Sequence, residues 1–211
     1  MQQSGFNRHI VIATKNRGKI REIKDFFKDL KELEWRASED FNFFPEVREG
    51  DRSFLENAKT KARIISEFTR SATLADDSGL AVDALNGAPG VTSSRYAGKD
   101  ATDRNNREKL LLELSEIRLL EQRKARFVCK MVLWDPDLGM IANTTGTCEG
   151  IIGFEEKGSG GFGYDCIFIP AGYKKTMAEL SQTEKNKISH RGRALKELTP
   201  FLKEYLDSMD K

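Results

Sequence analysis

HIVIATKNRGKIREIKDFFKDL, residues 9–30, changes its hydrophobic period partway along. His9 to Thr14 is a short β-branched run, which reads as a buried strand. From Gly18 onward Ile20, Ile23, Phe26, Phe27 and Leu30 recur at helical spacing. A strand feeding a helix through a short polar turn, ATKNRGK, predicts an α/β fold. The alternation continues outward from there. LEWRA around Trp35 reads as a strand, and residues 41–52, with Pro45 and Gly50, as a loop. Ser53 with Glu56 is a capping box opening a helix whose inner face is Ala58, Ala62, Ile65 and Phe68 or Thr69. SATLADDSGLAV reads as a strand into Ala75, a polar turn, and a second extended piece. A helix is expected over 101–120. ARFVCKMVLWD and GMIANTTGTCEGII come next as two strands joined by the turn formers of DPDLG. YDCIFIP is a short strand. Ser181 and Glu184 cap one last helix, which Pro200 should kink or end near Leu198. The expected fold is α/β: an elongated mixed sheet with flanking helices and a cleft, residues 1–211 forming one domain or two lobes sharing one core.

Composition narrows the function. The 211 residues fit one domain. Lys plus Arg (35) nearly balances Asp plus Glu (33), so a net charge of +2 excludes nucleic-acid binding through bulk charge. No apolar run approaches a membrane span, and the stretch before Thr14 is too short for a signal-peptide core. Cys129, Cys148 and Cys166 are odd in number and far apart, which argues for a reducing cytoplasm and against a disulfide framework. With only His9 and His190, a zinc site built on several histidines is excluded. GSGGFG (158–163) spells a dinucleotide fingerprint but precedes a strand rather than a helix, so it is rejected.

Four polar clusters fall at element junctions, where binding sites concentrate. In ATKNRGK, Thr14, Asn16 and Lys19 surround a helix N-terminus, which suits a phosphate, or an ordinary polar turn. In LADDSG, Asp76 and Asp77 point in opposite directions if extended. One could face a cleft and hold Mg²⁺ beside phosphates, or the segment could be a plain turn. In SGGFGYD, Phe162 among glycines offers a ring for a flat base or plugs a hairpin. In EKNKISHRGR, inside a helix, Lys185 and Lys187 fall on different faces while Ser189, His190 and Arg191 span most of one turn, and such a basic run most often forms a solvated face.

Together the strings IATKNRGKIREI, SFLENAKTKA, LADDSGLAVDALNGAPGVTSSRYAG, GTCEGII, GGFGYDCIFIP and EKNKISHRGRAL resemble the Ham1-type inosine triphosphate pyrophosphatase family, from about Val11 to about Leu198. The resemblance implies hydrolysis of ITP, dITP and XTP to monophosphate and pyrophosphate, with Mg²⁺ as cofactor, in a homodimer. It implies that Thr14, Asn16, Lys19 and Lys61 bind the triphosphate. Asp77 would be metal ligand and proton acceptor, with Ser78 beside it, and Asp76 would matter less predictably. Phe162, Gly163, Tyr164 and Asp165 would hold the base, with Lys185, His190 and Arg191 completing the pocket. Either Glu46 or Glu49 of PEVREG would be the second acidic metal ligand. Nucleotide binding without catalysis, and a pyrophosphatase for pyrimidine or methylated nucleotides, are the competing readings; ISHR argues against the latter.

Overall fold

The computed structural model describes residues 8–50 and 53–209, so the first seven residues, part of the signal-peptide reading, lie outside it. Among the described residues six strands form one mixed sheet in the order β2-β1-β3-β4-β5-β6. β1 (Arg8–Ile12) runs parallel to both β2 (Leu33–Arg36) and the start of β3 (Thr73–Val82). β3, β4 (Lys124–Asp135), β5 (Gly139–Ile152) and β6 (Phe168–Pro170) then pair antiparallel.

Alternation along β3 organises the molecule. Leu74, Leu80 and Val82 face one side, where Leu74 packs with Ile20 and Ile23 of α1 (Arg17–Phe26) and Leu195, Leu198 and Leu202 of α5 (His190–Ser208). Leu80 and Val82 join a second cluster with Leu110 of α3 (Asp103–Glu113), Phe127, Tyr164 and Phe168. Between these clusters the same face carries Asp76 and Ser78, so the apolar row is interrupted by polar residues. The opposite face carries Ala75, packed against Ala58, Ala62 and Ile65 of α2 (Phe54–Thr69).

Two expectations are corrected. Asp76-Asp77-Ser78-Gly79 is not a turn: β3 runs unbroken through it, registered against Val128–Met131 of β4. The cross-strand ladder holds the polar residues extended where local propensity alone suggested a turn. The last helix breaks at Ser189 and not at Pro200. α4 (Gln182–Ile188) ends there, Ser189 is extended, and its side chain caps Gly192 to start α5, which continues through Pro200. Pro200 is exposed on the outer side of α5, and the apolar face of Leu198, Leu202 and Tyr205 buried against the sheet keeps the helix going past it. α3 also stops at Glu113, short of 120.

Candidate active site

β1 pairs with β3 only as far as Leu74. Beyond it the end of β1 opens onto a cavity of about 420 Å³ flanked by α1 and α2, at the carboxyl end of a parallel strand, where ligands of α/β sheets bind. At its mouth Thr14 Oγ1 accepts from Asn16 N (3.1 Å), and Asn16 Oδ1 accepts from Lys19 N (3.1 Å), capping α1. Lys19 Nζ lies 2.7 Å from Asp76.

On the α2 side, Asp77 accepts from Lys61 Nζ at 2.9 Å and from Asn57 Nδ2 at 3.0 Å. Lys61 also donates to Glu49 at 2.8 Å. Asn57 holds Gly50 at both N and O (2.8 and 3.0 Å), which fixes the loop that carries Glu49. Burial raises the Asp77 carboxyl despite the nearby Lys61 and Lys19. Burial works the same way on Glu49, but Lys61 with Lys19 and Arg95 together outweigh it and hold that carboxyl low. Glu46 lies on the rim of the cavity, away from Lys61: its side chain is 89% exposed and 3.4 Å from Lys15.

On the α5 side the charges are buried. Arg191 Nε and Nη2 donate to Asp76 (3.0 and 2.8 Å), Nη2 to Ser78 (2.9 Å), and Nη1 to Glu22. Lys185 Nζ lies 2.6 Å from Glu22 and also donates to Asp165. Burial opposes ionisation of Asp76 and Glu22, but Arg191 with Lys19 or Lys185 holds both carboxyls below their usual range. At Asp165 burial wins over Lys185, and the carboxyl is raised. His190 stacks on Phe127 (centroids 4.6 Å apart, planes at 12°). Burial first, then Arg191 and Lys185, keeps it neutral, and its Nδ1 has no partner.

Phe162 is half-buried rather than an open platform. Lys185 Nζ and Arg191 Cζ lie 5.0 and 5.6 Å from its ring centroid. Its ring rests on the bare backbone of Gly18, where a Cβ would come within 2.4 Å of Cδ1. Tyr164 is buried and donates to Ser93 O at 2.8 Å. Gly163 has both backbone groups engaged, N on Asp103 (2.8 Å) and O on Arg107 (2.9 Å).

All the sequence-predicted site residues line this cavity. Sequence reasoning missed Glu22, Asn57, Phe127 and Asp103. Glu22 is three residues after Lys19, and Asn57 four before Lys61, so each shares a helix face with a residue already singled out. Phe127 reads as ordinary strand core and carried no such signal. Among the described residues no group of three or more His, Cys, Asp or Glu could hold a metal. A positive charge nevertheless already sits between Asp77 and Glu49, the Lys61 ammonium. Two carboxylates on the wall of this cavity fit Mg²⁺, which takes one or two such ligands and fills the rest with water and phosphate oxygens.

A mixed α/β sheet whose cavity beyond β1 is lined by lysines, carboxylates and aromatic rings defines an α/β protein with a site suited to an anionic, ring-bearing ligand. The Ham1 family model matches residues 10–201, and the chain belongs to that family. It is 47% identical over 201 residues to a Bacillus anthracis protein named dITP/XTP pyrophosphatase, covering 94% of this chain and 98% of that one. A protein of the same name from Halalkalibacterium halodurans is 47% identical over 91% of this chain and 97% of its own length. Among solved structures, a HAM1 protein from Coxiella burnetii superposes with a TM-score of 0.81 at 41% identity, covering 93% of this chain and 99% of that one. The Staphylococcus aureus Ham1 protein gives 0.79 at 39% identity, over 94% and 100%.

Proposed function

We propose that this protein hydrolyses non-standard purine nucleoside triphosphates, ITP, dITP and XTP, to the monophosphate and pyrophosphate, clearing them from the nucleotide pool. The observation that carries the reading is one cavity lined by two chemically distinct sets of side chains. Lys19 and Lys61 stand with Asp77 and Glu49, and the same cavity holds Phe162, His190, Lys185 and Arg191. The lysines suit the triphosphate. Water attacks the α-phosphorus in line, the bond to the bridging oxygen breaks, and pyrophosphate leaves. Asp77, whose carboxyl burial has raised, takes the proton of that water. Bound Mg²⁺, held by Asp77 and Glu49, would supply charge neutralisation on the phosphates.

The second set favours a 6-oxo purine. Lys185 and Arg191 are donors only, and beyond the carboxylates they hold they favour an acceptor, the carbonyl at position 6, over the donor amino group of ATP. Such mismatches in polar sites are rejected by ~10²–10⁵-fold. A panel of nucleoside triphosphates with product analysis tests the reading: ITP and XTP should exceed ATP by at least ~100-fold in kcat/KM, need Mg²⁺, and give pyrophosphate. Comparable rates for ATP, or orthophosphate as the primary product, would overturn it. The reading includes action in the cytoplasm, which the three unpaired cysteines suit, and a homodimer, which light scattering checks.

A further inference from the structure

We infer that the N-terminal part of α3 is a clamp for the base-binding loop, with Asp103 and Arg107 as positioning residues for Phe162. The inference rests on the reading of Phe162 as the base-side ring. Phe162 sits in no strand, between Gly161 and Gly163, which both have left-handed backbone (φ +72 and +60). A ring on such a segment loses much of its freedom when a ligand docks, unless something has already fixed it.

The structure supplies that fixing from outside the loop. Asp103 Oδ2 accepts from Gly163 N at 2.8 Å, and Arg107 Nη1 donates to Gly163 O at 2.9 Å. The two side chains are four apart on α3, one turn of one face. Arg107 is braced in turn by a paired contact with Glu156 (Nε at 2.8 Å, Nη2 at 3.1 Å). On the other side of Phe162 its own N–H goes to Asp165 at 2.8 Å. The residue after the ring is thus held by both its backbone groups. Gly163, which the family resemblance places in direct contact with the base, has its donor and acceptor committed to α3 and acts by placing its neighbour.

Steady-state kinetics with ITP and hydrogen exchange test the clamp together. Asp103→Ala and Arg107→Ala should each raise KM ~5–20-fold and leave kcat within ~3-fold. Asp103→Asn, which keeps an acceptor for Gly163 N, should restore KM. In a Phe162→Ala background Asp103→Ala should add less than ~2-fold, because the ring it positions is gone. Without nucleotide, the segment containing Gly163 should exchange ~10-fold or more faster in Asp103→Ala than in the wild type. An unchanged KM, equal effects in both backgrounds, or unchanged exchange would each overturn the clamp. A wild type that does not turn over ITP would overturn the functional reading instead, and the exchange measurement would still decide the clamp.

Discussion

At Asp77 the structure concentrates opposing influences on one carboxylate: burial, Lys61 on one oxygen, Asn57 on the other. Asp77→Asn removes the charge but leaves Lys61 paired to Glu49, so the fold should hold while turnover falls ~10²–10⁴-fold. Measuring kcat beside the thermal midpoint checks this; activity within about tenfold of wild type removes Asp77 from the chemistry. Arg191 behaves differently. It is 1% exposed, and removing it takes one of two cations from each of two buried carboxylates, leaving Asp76 to Lys19 and Glu22 to Lys185. Arg191→Ala should therefore cost up to ~3–5 kcal/mol near neutral pH. Both carboxyls are held low in the folded wild type, so their contribution is present above the usual carboxylate range and lost as pH falls through their lowered values. The gap between wild type and variant should narrow in acid, as denaturant titrations near neutral pH and below the usual carboxylate range would show. A gap that widened would contradict the ion-pair assignment. The divergence of Asp76 and Asp77 was legible from two-residue alternation alone. Glu22 was not, because a carboxylate on a polar-rich helix reads as solvated until its partner, 169 residues along the chain, packs against it.

At the scale of elements, the decisive local feature is the break at Ser189. A continuous helix puts Lys185 and His190 on its own ladder of about 100° per residue, with no reason to converge. The extended residue between α4 and α5 resets that ladder, so Lys185 and Arg191 both reach Glu22. Ser189 Oγ makes the new start possible by accepting from Gly192 N at 3.0 Å. Ser189→Ala should cost ~1 kcal/mol as a lost cap, and should reduce kcat/KM for ITP beyond that because His190 and Arg191 begin the helix it caps. Full activity with lowered stability would make Ser189 a cap and nothing more. The sequence advertised Pro200 and concealed Ser189, since proline states its constraint in its own ring whereas a serine cap depends on the backbone of later residues. The strands β4 and β5 were readable to within a residue, because each alternates against a buried face over a long span. The 73–82 segment was misread because its polar run mimics a turn, and only pairing with β4 shows it to be strand.

For the whole molecule, the two apolar clusters on one sheet face leave a polar gap between them, and the charged network of Glu22, Asp76, Asp165, Lys19, Lys185 and Arg191 fills it. α5 reaches that gap by lying directly on β5. A Cβ at Gly146 would stand 1.8 Å from His190 O and 2.6 Å from Ala194 N. Gly146→Ala must lift the start of α5, so ~1–3 kcal/mol of stability and most of the ITP activity should go together. Retained activity would show that the helix can move without taking the site with it. β3 also works as a reading frame. Asp76 serves one face of the sheet and Asp77 the other, so a single-residue deletion upstream in the strand would deliver each carboxylate to the wrong compartment while leaving composition and length almost untouched. Insertions in the exposed turn at Leu138 shift no such frame. A library of single-residue insertions and deletions should therefore divide sharply, with survivors at 136–138 and none within 73–77.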